Sequence, residues 1–467
     1  MSTLNFSTEA EQISPTIFRA YDIRGIFEET LTTDAIYQIG LALGSEAKSR
    51  GINKIITGRD GRYSSPFLSL AFQQGILATG CDIIDIGAVP TPVLYFATHF
   101  LETNSGAMIT GSHNPAEYNG IKMVLNGSTL TQKEIKKLYQ RIQSQDYEFG
   151  HGNIIAQDVV NDYHQRILSD VKLSRPLKVV VDCANGVAGD IVPELLRDLG
   201  CEVIKLFCDV DGTFPNHEPD PGQPENLQAL IKAVEDNTAD IGLAFDGDAD
   251  RLGVVTNAGE IIWPDRIMML FVKDILKQNS GANIIFDVKC SRNLSKIIEA
   301  HNGQPIMWRT GHSLVKAKMV ETNALFAGEM SGHFFFKHRW YGFDDGIYAA
   351  ARLLEILSKY TQSSSSIFQT LPNSVCTPEL KLALSEDEKF EFMTKFLAQA
   401  EFPNADISYI DGIRVDFPEG WGLIRPSNTT PNLILRFEAD SESNLENIKA
   451  QFRQQLKRLD ENLDILF

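Results

Sequence analysis

The sequence predicts an α/β protein made of three related modules with mixed sheets, followed by a smaller C-terminal α+β unit. Three observations predict this class. Short apolar runs alternate with helical patterns along most of the chain. Three times, an apolar strand that ends in a polar loop is followed later by a second strand of the same kind. The length of 467 residues also fits three or four domains of about 100–200 residues each.

The paired strands define the three modules. The first strand of each pair is expected at residues 54–57, 178–181 and 283–286, and the second at 106–109, 241–245 and 324–327. A polar loop follows each of these strands. Because open α/β sheets bind ligands at the carboxyl ends of their strands, these loops are the candidate functional loops.

The C-terminal part of the chain has a different pattern. Residues 433–437 are expected to form a strand, and Ser443 with Glu446 forms a predicted capping box ahead of an amphipathic closing helix. The serine-rich run 361–366 indicates a break just before this unit. Together these features predict domain limits at 1–155, 156–260, 261–371 and 372–467.

Composition excludes several classes of function. With 43 basic and 61 acidic side chains the net charge is −18, so the overall field repels nucleic acids and anionic membranes. No stretch approaches the roughly 18 apolar residues of a membrane span, and the first residues lack a signal-peptide core. Six scattered cysteines without a CxxC pair predict free, mostly buried thiols in a reducing cytoplasm and argue against zinc. The oligomeric state stays open, and a monomer is compatible with the pattern.

The loop after residues 241–245 carries three carboxylates at alternate positions, Asp246, Asp248 and Asp250. Such a set can converge on one hard cation through oxygen ligands. An EF-hand is excluded, because Arg251 stands where glycine is needed and Asn257 where the closing glutamate is needed. Three acidic ligands without a closed cage suit Mg²⁺, which often completes its shell with phosphate oxygens. The alternative is a solvated acidic turn.

The loop after residues 106–109 places a hydroxyl and an imidazole side by side, Ser112 and His113. The serine could serve as a covalent nucleophile or phosphoryl carrier. It is not part of a Gly-x-Ser-x-Gly elbow, because Asn114 occupies the final glycine position. A polar turn with Asn-Pro punctuation is the alternative interpretation.

In the third loop Glu329, Ser331 and His333 alternate, so an extended loop would aim them to the same side. A carboxylate with a hydroxyl is suited to reading neighbouring sugar hydroxyls through hydrogen bonds. An exposed turn is the alternative.

A fourth loop, residues 425–431, combines one guanidinium with several short hydrogen-bonding side chains. Arg425 offers a bidentate fork, and hydroxyls with backbone N–H groups could complete a phosphate cradle. Loops rich in Ser, Thr, Asn and Pro are also common connectors.

Together with residues 18–25, these four loops resemble the α-D-phosphohexomutase superfamily, and most closely its phosphomannomutase/phosphoglucomutase branch. The motifs occur in family order and span the chain from about residue 18 to 436. The resemblance implies four domains around a central active-site cleft. It implies phosphorylation of Ser112, and Mg²⁺ held by Asp246, Asp248 and Asp250 with a phosphoserine oxygen.

The resemblance also assigns substrate-binding residues. Glu329, Ser331 and His333 would line the sugar site, and Arg425, Ser427, Asn428 and Thr429 would anchor the distal phosphate. Seven further positions match residues that in the family surround the reacting or bound phosphates: Tyr21, Arg24, His113, Lys122, Arg251, Lys289 and His312. Among them Lys122, Arg251 and His312 are candidates for charge neutralisation or general acid/base work.

The implied reaction interconverts hexose 1-phosphate and hexose 6-phosphate through phosphoserine and a hexose 1,6-bisphosphate, which also activates the enzyme. Met330 resembles the branch acting on mannose and glucose phosphates, whereas phosphoglucosamine mutases usually carry glutamine there. A glucosamine phosphate stays open as an alternative substrate.

Two rival functions remain. Residues 203–208 followed by Asp209 resemble the opening motif of haloacid-dehalogenase-type phosphatases, with Asp248 and Asp250 as their late acidic motif. That interpretation leaves the other loops unexplained, and a polar turn after a strand accounts for Asp209. The second rival is a non-catalytic sugar-phosphate binding protein, which would need neither Ser112 nor three clustered carboxylates.

Overall fold

The computed structural model of this protein describes residues 13–385, 388–427 and 432–461, together with Leu463, Ile465 and Phe467. Within these residues no helix is both long and apolar enough to cross a membrane. All six cysteines are free thiols, five of them buried and Cys376 exposed.

The first module is built on a seven-stranded sheet in the order β1-β5-β4-β2-β3-β7, with β6 pairing to β5. Its elements are β1 (Ile23–Ile26), α1 (Thr33–Ser49), β2 (Lys54–Arg59), α2 (Ser65–Leu77), β3 (Asp82–Ala88), α3 (Thr91–Phe100), β4 (Gly106–Ile109), β5 (Tyr118–Leu125), β6 (Ser128–Thr129), α4 (Gln132–Ser144) and β7 (Ile154–Ala156). A 3₁₀ turn at Pro15–Ile17 precedes them. The central strand β4 is buried along its whole length, as expected of a strand covered on both faces.

The second module has a five-stranded sheet in the order β12-β11-β10-β8-β9. Its elements are α5 (Val160–Asp170), β8 (Lys178–Asp182), α6 (Val192–Asp198), β9 (Glu202–Leu206), α7 (Gln228–Asp236), β10 (Ile241–Phe245), β11 (Leu252–Thr256) and β12 (Ile261–Ile262), with 3₁₀ turns at Val187–Asp190 and Pro224–Leu227. Both β10 and β11 are buried throughout, which explains their continuous apolar sequences.

The third module has a four-stranded sheet in the order β14-β13-β15-β16. Its elements are α8 (Pro264–Leu276), β13 (Asn283–Asp287), α9 (Arg292–Ala300), β14 (Gln304–Trp308), α10 (His312–Thr322), β15 (Phe326–Gly328), β16 (Phe334–Phe336), α11 (Gly346–Ser358) and α12 (Ser364–Gln369). The strand expected at 324–327 begins later, because α10 ends on Asn323 in the left-handed conformation and the chain joins the sheet only at Phe326.

The same strand order occurs in all three modules, and it confirms the repeat predicted from the sequence. The two strands of each predicted pair are parallel neighbours: β2 with β4, β8 with β10, and β13 with β15. The second strand then pairs antiparallel with the next strand, β5, β11 or β16. The loop after the second strand therefore lies at the same sheet edge in each module.

The fourth module is an antiparallel sheet in the order β17-β22-β21-β20-β19, with β18 pairing to β22. Its elements are β17 (Val375–Cys376), β18 (Leu380–Ala383), α13 (Glu388–Gln399), β19 (Asp406–Ser408), β20 (Ile413–Phe417), β21 (Gly420–Pro426), β22 (Asn432–Ala439) and α14 (Glu442–Leu459). Helix α14 buries Leu445, Ile448, Phe452 and Leu456 against this sheet. The predicted α/β fold with a terminal α+β unit is confirmed.

Two further local predictions differ from the structure. The capping box was expected at Ser443, but α14 begins two residues earlier, where the side chain of Ser441 accepts a hydrogen bond from the Asn444 amide at 3.3 Å. The serine-rich run is not only a break, because Ser363 caps α12 and its apolar residues Ile367 and Phe368 are buried. Burial of these two apolar side chains stabilises a helix in the run.

Aromatic side chains join the first three modules. The ring of Phe96 on α3 stacks on Trp340 with centroids 6.4 Å apart, and Tyr163 on α5 packs edge-on against both. The fourth module is joined to the third through Arg414, which donates to the carbonyls of Val288 and Cys290 at 2.8 and 2.9 Å. The domain limits stay predictions; β7 carries the first sheet to Ala156.

Candidate active site

Three loops, one from each of the first three modules, meet in the centre of the molecule. The hydroxyl of Ser112, between β4 and β5, donates to Oδ2 of Asp246, between β10 and β11, at 3.0 Å. In the third module His333, between β15 and β16, lies 3.3 Å from Oδ1 of Asp250. The corresponding sheet edges of the repeat therefore converge on one site.

The three aspartates form a compact, fully buried group. Carboxylate oxygens of Asp246, Asp248 and Asp250 lie within 4.8 Å of one another. Lys122 on β5 is ion-paired with Asp248 at 2.7 Å and also with Asp250. Among the described residues Oδ1 of Asp248 accepts no hydrogen bond, although it is buried. Such an unpartnered buried oxygen, in an all-oxygen donor set, fits a divalent cation.

The charges in this group strongly affect one another. Burial, together with the neighbouring Asp250 and Asp248, raises the pKa of Asp246 well above its ordinary value. Burial would lower the pKa of Lys122, but Asp248 and Asp250 outweigh it and hold the pKa well above normal. Arg251, 3.9 Å from Asp246, opposes the rise in the Asp246 pKa without cancelling it. The repulsion that the neighbouring carboxylates exert on Asp246 is what a bound cation would relieve.

The third loop brings its three polar side chains together. Ser331 and His333 share a hydrogen bond of 2.8 Å between Oγ and Nδ1, and Glu329 lies 3.1 Å from the same ring nitrogen. Burial alone would lower the pKa of His333, but Asp250 and Glu329 outweigh it and raise the pKa to about 9. These two carboxylates favour the protonated form of the imidazole. The amide of Gly311 fixes Glu329 from the other side at 2.5 Å.

The remaining imidazoles of the site are held neutral. Burial and the nearby Arg251 lower the pKa of His113 well below its ordinary value. Burial and Lys316 do the same for His312. The Nδ1 of His113 lies 3.2 Å from Oγ of Ser112, so a neutral ring adjoins the serine hydroxyl.

Cationic and aromatic residues of the first and second modules border the site on another side. Arg24 on β1 donates to the side chain of Asn114 at 2.8 Å and is ion-paired with Asp22. The ring of Tyr21 lies edge-on to His312 with centroids 5.7 Å apart. Arg251 follows the aspartates and is 3.7 Å from Asp220.

The residues predicted for the distal phosphate lie at the junction of the third and fourth modules. Arg425 is ion-paired with Asp411 at 2.9 Å, and Lys289 with Glu379 at 2.5 Å. Ser427 is buried, and its carbonyl accepts a hydrogen bond from the ammonium of Lys389 at 2.8 Å. The predicted partners Asn428 and Thr429 lie outside the described residues.

Electrostatics connect this phosphate region to the sugar loop. Burial raises the pKa of Tyr21 well above its ordinary value, while Arg425 opposes the rise and Glu329 adds to it. One tyrosine of the first module thus interacts with the predicted phosphate residue and with the predicted sugar residue. Two adjacent amides join the regions directly, because that of Gly311 binds Glu329 and that of Thr310 binds Asp411, the ion-pair partner of Arg425. The described candidates from all four modules therefore adjoin one site.

Several residues that shape the site were not identified from the sequence. Arg62 binds the backbone of the Ser112 loop, and Thr91 donates to Asp248 at 2.5 Å. Asp344 pairs with Lys316 at 2.7 Å beside His312. Only Arg62 was in a loop singled out by the strand pattern, and no local signal distinguished its side chain.

Comparison with known proteins agrees with this architecture. Family models described as phosphoglucomutase/phosphomannomutase alpha/beta/alpha domains I, II and III match residues 15–149, 160–259 and 263–375, and the C-terminal domain model matches 379–455. A phosphomannomutase/phosphoglucomutase from Pseudomonas aeruginosa is 53% identical over 99% of this chain and all of that protein. A phosphoglucomutase from Neisseria meningitidis is 51% identical over 94% of this chain and 96% of its own.

A solved structure gives the same result. The crystal structure of a phosphoglucomutase/phosphomannomutase family protein from Burkholderia thailandensis is 49% identical, covers 97% of this chain and 100% of its own, and superposes with a TM-score of 0.93. The protein is therefore an enzyme of the phosphohexomutase class. It belongs to the phosphoglucomutase/phosphomannomutase family.

Proposed function

We propose that this enzyme interconverts the 1- and 6-phosphates of mannose and glucose through a phosphorylated Ser112 and a hexose 1,6-bisphosphate. The names of the relatives support this pair of sugars. The observation that carries the proposal is the buried hydroxyl of Ser112, 3.0 Å from Asp246 in a group of three carboxylates. Phosphoryl transfer depends on such alignment and charge neutralisation more than on an elaborate nucleophile.

Asp246, Asp248 and Asp250 would hold one Mg²⁺, with an oxygen of phosphorylated Ser112 completing the set. When bound, the ion neutralises charge on the phosphoserine and polarises its P–O bond. The chain's own contribution is the orientation of the ligands, because Lys122 and Thr91 fix Asp248 through one of its two oxygens. The other oxygen is left available.

In the proposed first step a sugar hydroxyl attacks the phosphorus on Ser112, and the bond between phosphorus and the serine oxygen breaks. The hydroxyl must lose its proton, and the neutral imidazole of His312 is a candidate acceptor. The departing serine oxygen must gain a proton, for which protonated His333 and Lys122 are candidate sources. Arg24, Arg251 and His113 surround the phosphoryl group and offset or orient its charge.

The distal phosphate would be held by Arg425, Ser427 and Lys289, joined by Tyr21, Asn428 and Thr429 in the same proposed set. After the first transfer the bisphosphate has to turn around, so that its other phosphate faces Ser112. The same cationic residues must therefore accept both orientations, and Glu329 and Ser331 must bind hydroxyls in both. Met330 supports mannose and glucose over glucosamine. The free, mostly buried thiols support a cytoplasmic location.

The test is a mutase assay with the 1-phosphates of mannose, glucose and N-acetylglucosamine, in the presence of Mg²⁺ and a trace of bisphosphate. We expect turnover of the first two sugars and a gain of one phosphoryl group on Ser112 by intact mass. Ser112→Ala should abolish both, while Ser69→Ala, at another buried serine of the first module, should retain both. Full turnover by Ser112→Ala, or an unphosphorylated wild type after bisphosphate treatment, would disprove the proposal.

A further inference from the structure

The guanidinium of Arg62 lies beneath the loop that carries Ser112 and binds its backbone. Its side chain has no exposed surface. All five N–H donors that a guanidinium offers are used. Nε donates to Asp60 Oδ2 at 3.2 Å, Nη1 to the carbonyls of Pro115 and Tyr118 at 2.5 and 3.1 Å, and Nη2 to the carbonyls of Ser112 and Asn114 at 2.7 and 2.6 Å.

Ser112 needs such support because its backbone is unusual. Its φ is +50°, in the left-handed region that residues with a side chain rarely adopt. Conformations of this kind persist only where the surroundings hold them. Arg62 binds the carbonyl of Ser112 itself, and Thr110 Oγ1 accepts the Ser112 amide at 2.9 Å. This backbone conformation is the one in which the side chain meets Asp246.

The neighbouring residues are shaped to let Arg62 approach. A Cβ on Gly111 would lie 2.5 Å from Arg62 Nε and 2.7 Å from the Tyr118 carbonyl, so a side chain at this position would displace the guanidinium. Asp60 links the start of the loop to Arg62. Its Oδ2 accepts one hydrogen bond from the Gly111 amide at 3.1 Å and another from Arg62 Nε. Both ends of the loop are thus tied to the same ion pair.

The second module closes over the same arginine. The ring of Phe214 lies against the guanidinium, with Arg62 Cζ 4.9 Å from its centroid. A Cβ on Gly212 would lie 2.5 Å from the Arg62 Cα, which shows how closely the two backbones pack. Gly247, between the first two metal-loop aspartates, similarly lies against the Ser112 carbonyl, where its Cβ would be 2.5 Å away.

We propose that Arg62 is a positioning residue for phosphoryl transfer: by binding four carbonyls of the 112–118 segment it holds Ser112 aimed at the metal-binding aspartates. Phe214 keeps the guanidinium in place from the second module. The inference rests on the proposed role of Ser112, and it concerns how that serine is oriented. Arg62 itself touches neither substrate nor reacting atoms.

Lysine can replace the charge of Arg62 but not its geometry. An ammonium carries three donors on one atom, whereas the four carbonyls are bound by two nitrogens of a rigid fork. Arg62→Lys therefore separates positioning from charge. A displacement of about 1 Å in a reacting group can cost about 100-fold in rate, so loss of the fork should be visible in the chemical step.

The matched control is Arg352→Lys. Arg352 on α11 is also fully buried, also lies over an aromatic ring, that of Phe336 at 5.0 Å, and binds Tyr348 and Asp274. It has no contact with the Ser112 loop. Both substitutions remove a buried guanidinium, so both should lower the melting temperature, and a difference in kinetics will report on the loop alone.

The experiment measures, for wild type and both variants, the rate of Ser112 phosphorylation by glucose 1,6-bisphosphate, the kcat and KM for glucose 1-phosphate, and the melting temperature. We expect Arg62→Lys to lower the phosphorylation rate and kcat by about 10- to 100-fold, with KM changed less than about 3-fold because the distal phosphate residues are intact. Arg352→Lys should keep the wild-type kcat. Equal effects of the two variants, or normal phosphorylation in Arg62→Lys, would overturn the inference.

Phe214→Leu is the alternative test variant if Arg62→Lys does not fold. Phe214 is half-buried in a loop, so its substitution should leave the fold intact. Loss of its ring should slow Ser112 phosphorylation by about 2- to 5-fold, the usual size of one cation–π contact. An unchanged rate would count against the inference. A wild type that has no mutase turnover would instead disprove the proposed function, so the two failures are distinguishable.

Discussion

The hydroxyl of Thr91, the first residue of α3, donates to Oδ2 of Asp248 at 2.5 Å, across the boundary between the first and second modules. A backbone hydrogen bond joins the same two residues, since the Thr91 amide donates to the Asp248 carbonyl at 2.9 Å. The same Oδ2 also accepts Lys122 at 2.7 Å. One oxygen of the central aspartate is thereby fixed by the first module, and the carboxylate orientation is set before any ion binds.

Thr91→Val should weaken Mg²⁺ binding while preserving the fold, since valine has the shape of threonine but no hydroxyl. Loss of a hydrogen bond behind a metal ligand typically costs about 10- to 100-fold in affinity. The measurement is the Mg²⁺ concentration for half-maximal mutase activity. Thr98→Val, on the same helix with its hydroxyl bound to the Tyr95 carbonyl, should leave that concentration unchanged. An unaltered value for Thr91→Val would contradict the assignment.

Gly311→Ala should disturb the contact between Tyr21 and the sugar loop. Gly311 has a φ of +137°, and a Cβ there would lie 2.7 Å from the Tyr21 ring. Its amide also binds Glu329 at 2.5 Å, so a backbone shift that relieves the clash with Tyr21 would also move this amide away from Glu329. We expect KM for hexose 1-phosphate to rise by about 10-fold or more, because loss of a buried charged hydrogen bond costs about 1.5–3 kcal/mol.

The control for this substitution is Gly51→Ala. Gly51 also has a positive φ, +76°, but a Cβ there meets nothing within 4 Å. Alanine at this position takes on left-handed backbone strain, at a cost of about 1–2 kcal/mol in stability, without a steric contact. A KM that rises equally in both variants would show that strain alone is responsible.

The repeated strand pairs were predictable because each is a local pattern. Strands such as β4 and β10 are buried on both faces and appear as unbroken apolar runs, and polar residues follow at once where each strand ends. Three modules with the same strand order then place equivalent loops at equivalent edges. Ser112 and Asp246 could be expected near one another for this reason, although they are far apart in the chain.

Side chains that bind backbone carbonyls far away in the sequence could not be found from local patterns. Arg62 reaches carbonyls some fifty positions later in the chain, and its own neighbours Gly61 and Tyr63 give no indication of this. The start of α14 was misplaced for a related reason: Ser441 and Ser443 both suit a cap, and only the packing of Leu445 and Ile448 on the sheet selects Ser441. Tertiary contacts decide where sequence offers equivalent choices.

Asp209→Asn should leave mutase turnover near the wild-type level. Asp209 is exposed in the loop after β9, and its described contact is a backbone one, from the Asn185 side chain to its carbonyl at 2.8 Å. A phosphatase that used Asp209 as nucleophile would lose all activity on this substitution. Parallel assays of mutase turnover and phosphate release, with Asp246→Asn as the inactive reference, therefore distinguish the two enzymes.

His338 makes stability depend on pH in the third module. Burial, together with the cationic Arg352 and Arg339, lowers the pKa of His338 to about 4 from an ordinary 6.5. Its buried Nδ1 finds no hydrogen-bond partner in the described parts of the chain. The folded protein thus binds this proton less readily than the unfolded chain, so the stabilisation is complete above pH 6.5 and is lost as the pH falls towards 4.

His338→Gln should make the protein less sensitive to acid in that range, because glutamine has no proton to gain. One proton can contribute at most about 1.4 kcal/mol of unfolding free energy per pH unit. Because His338 is only partly buried, solvent screening reduces this effect, and the variant should lose a fraction of that slope between pH 6.5 and 4. Denaturant unfolding at a series of pH values measures it. His151→Gln, which replaces an exposed histidine outside the third module, should keep the wild-type slope. If both variants follow the wild type, His338 does not set the acid response, and the buried carboxylates of the cleft must account for it instead.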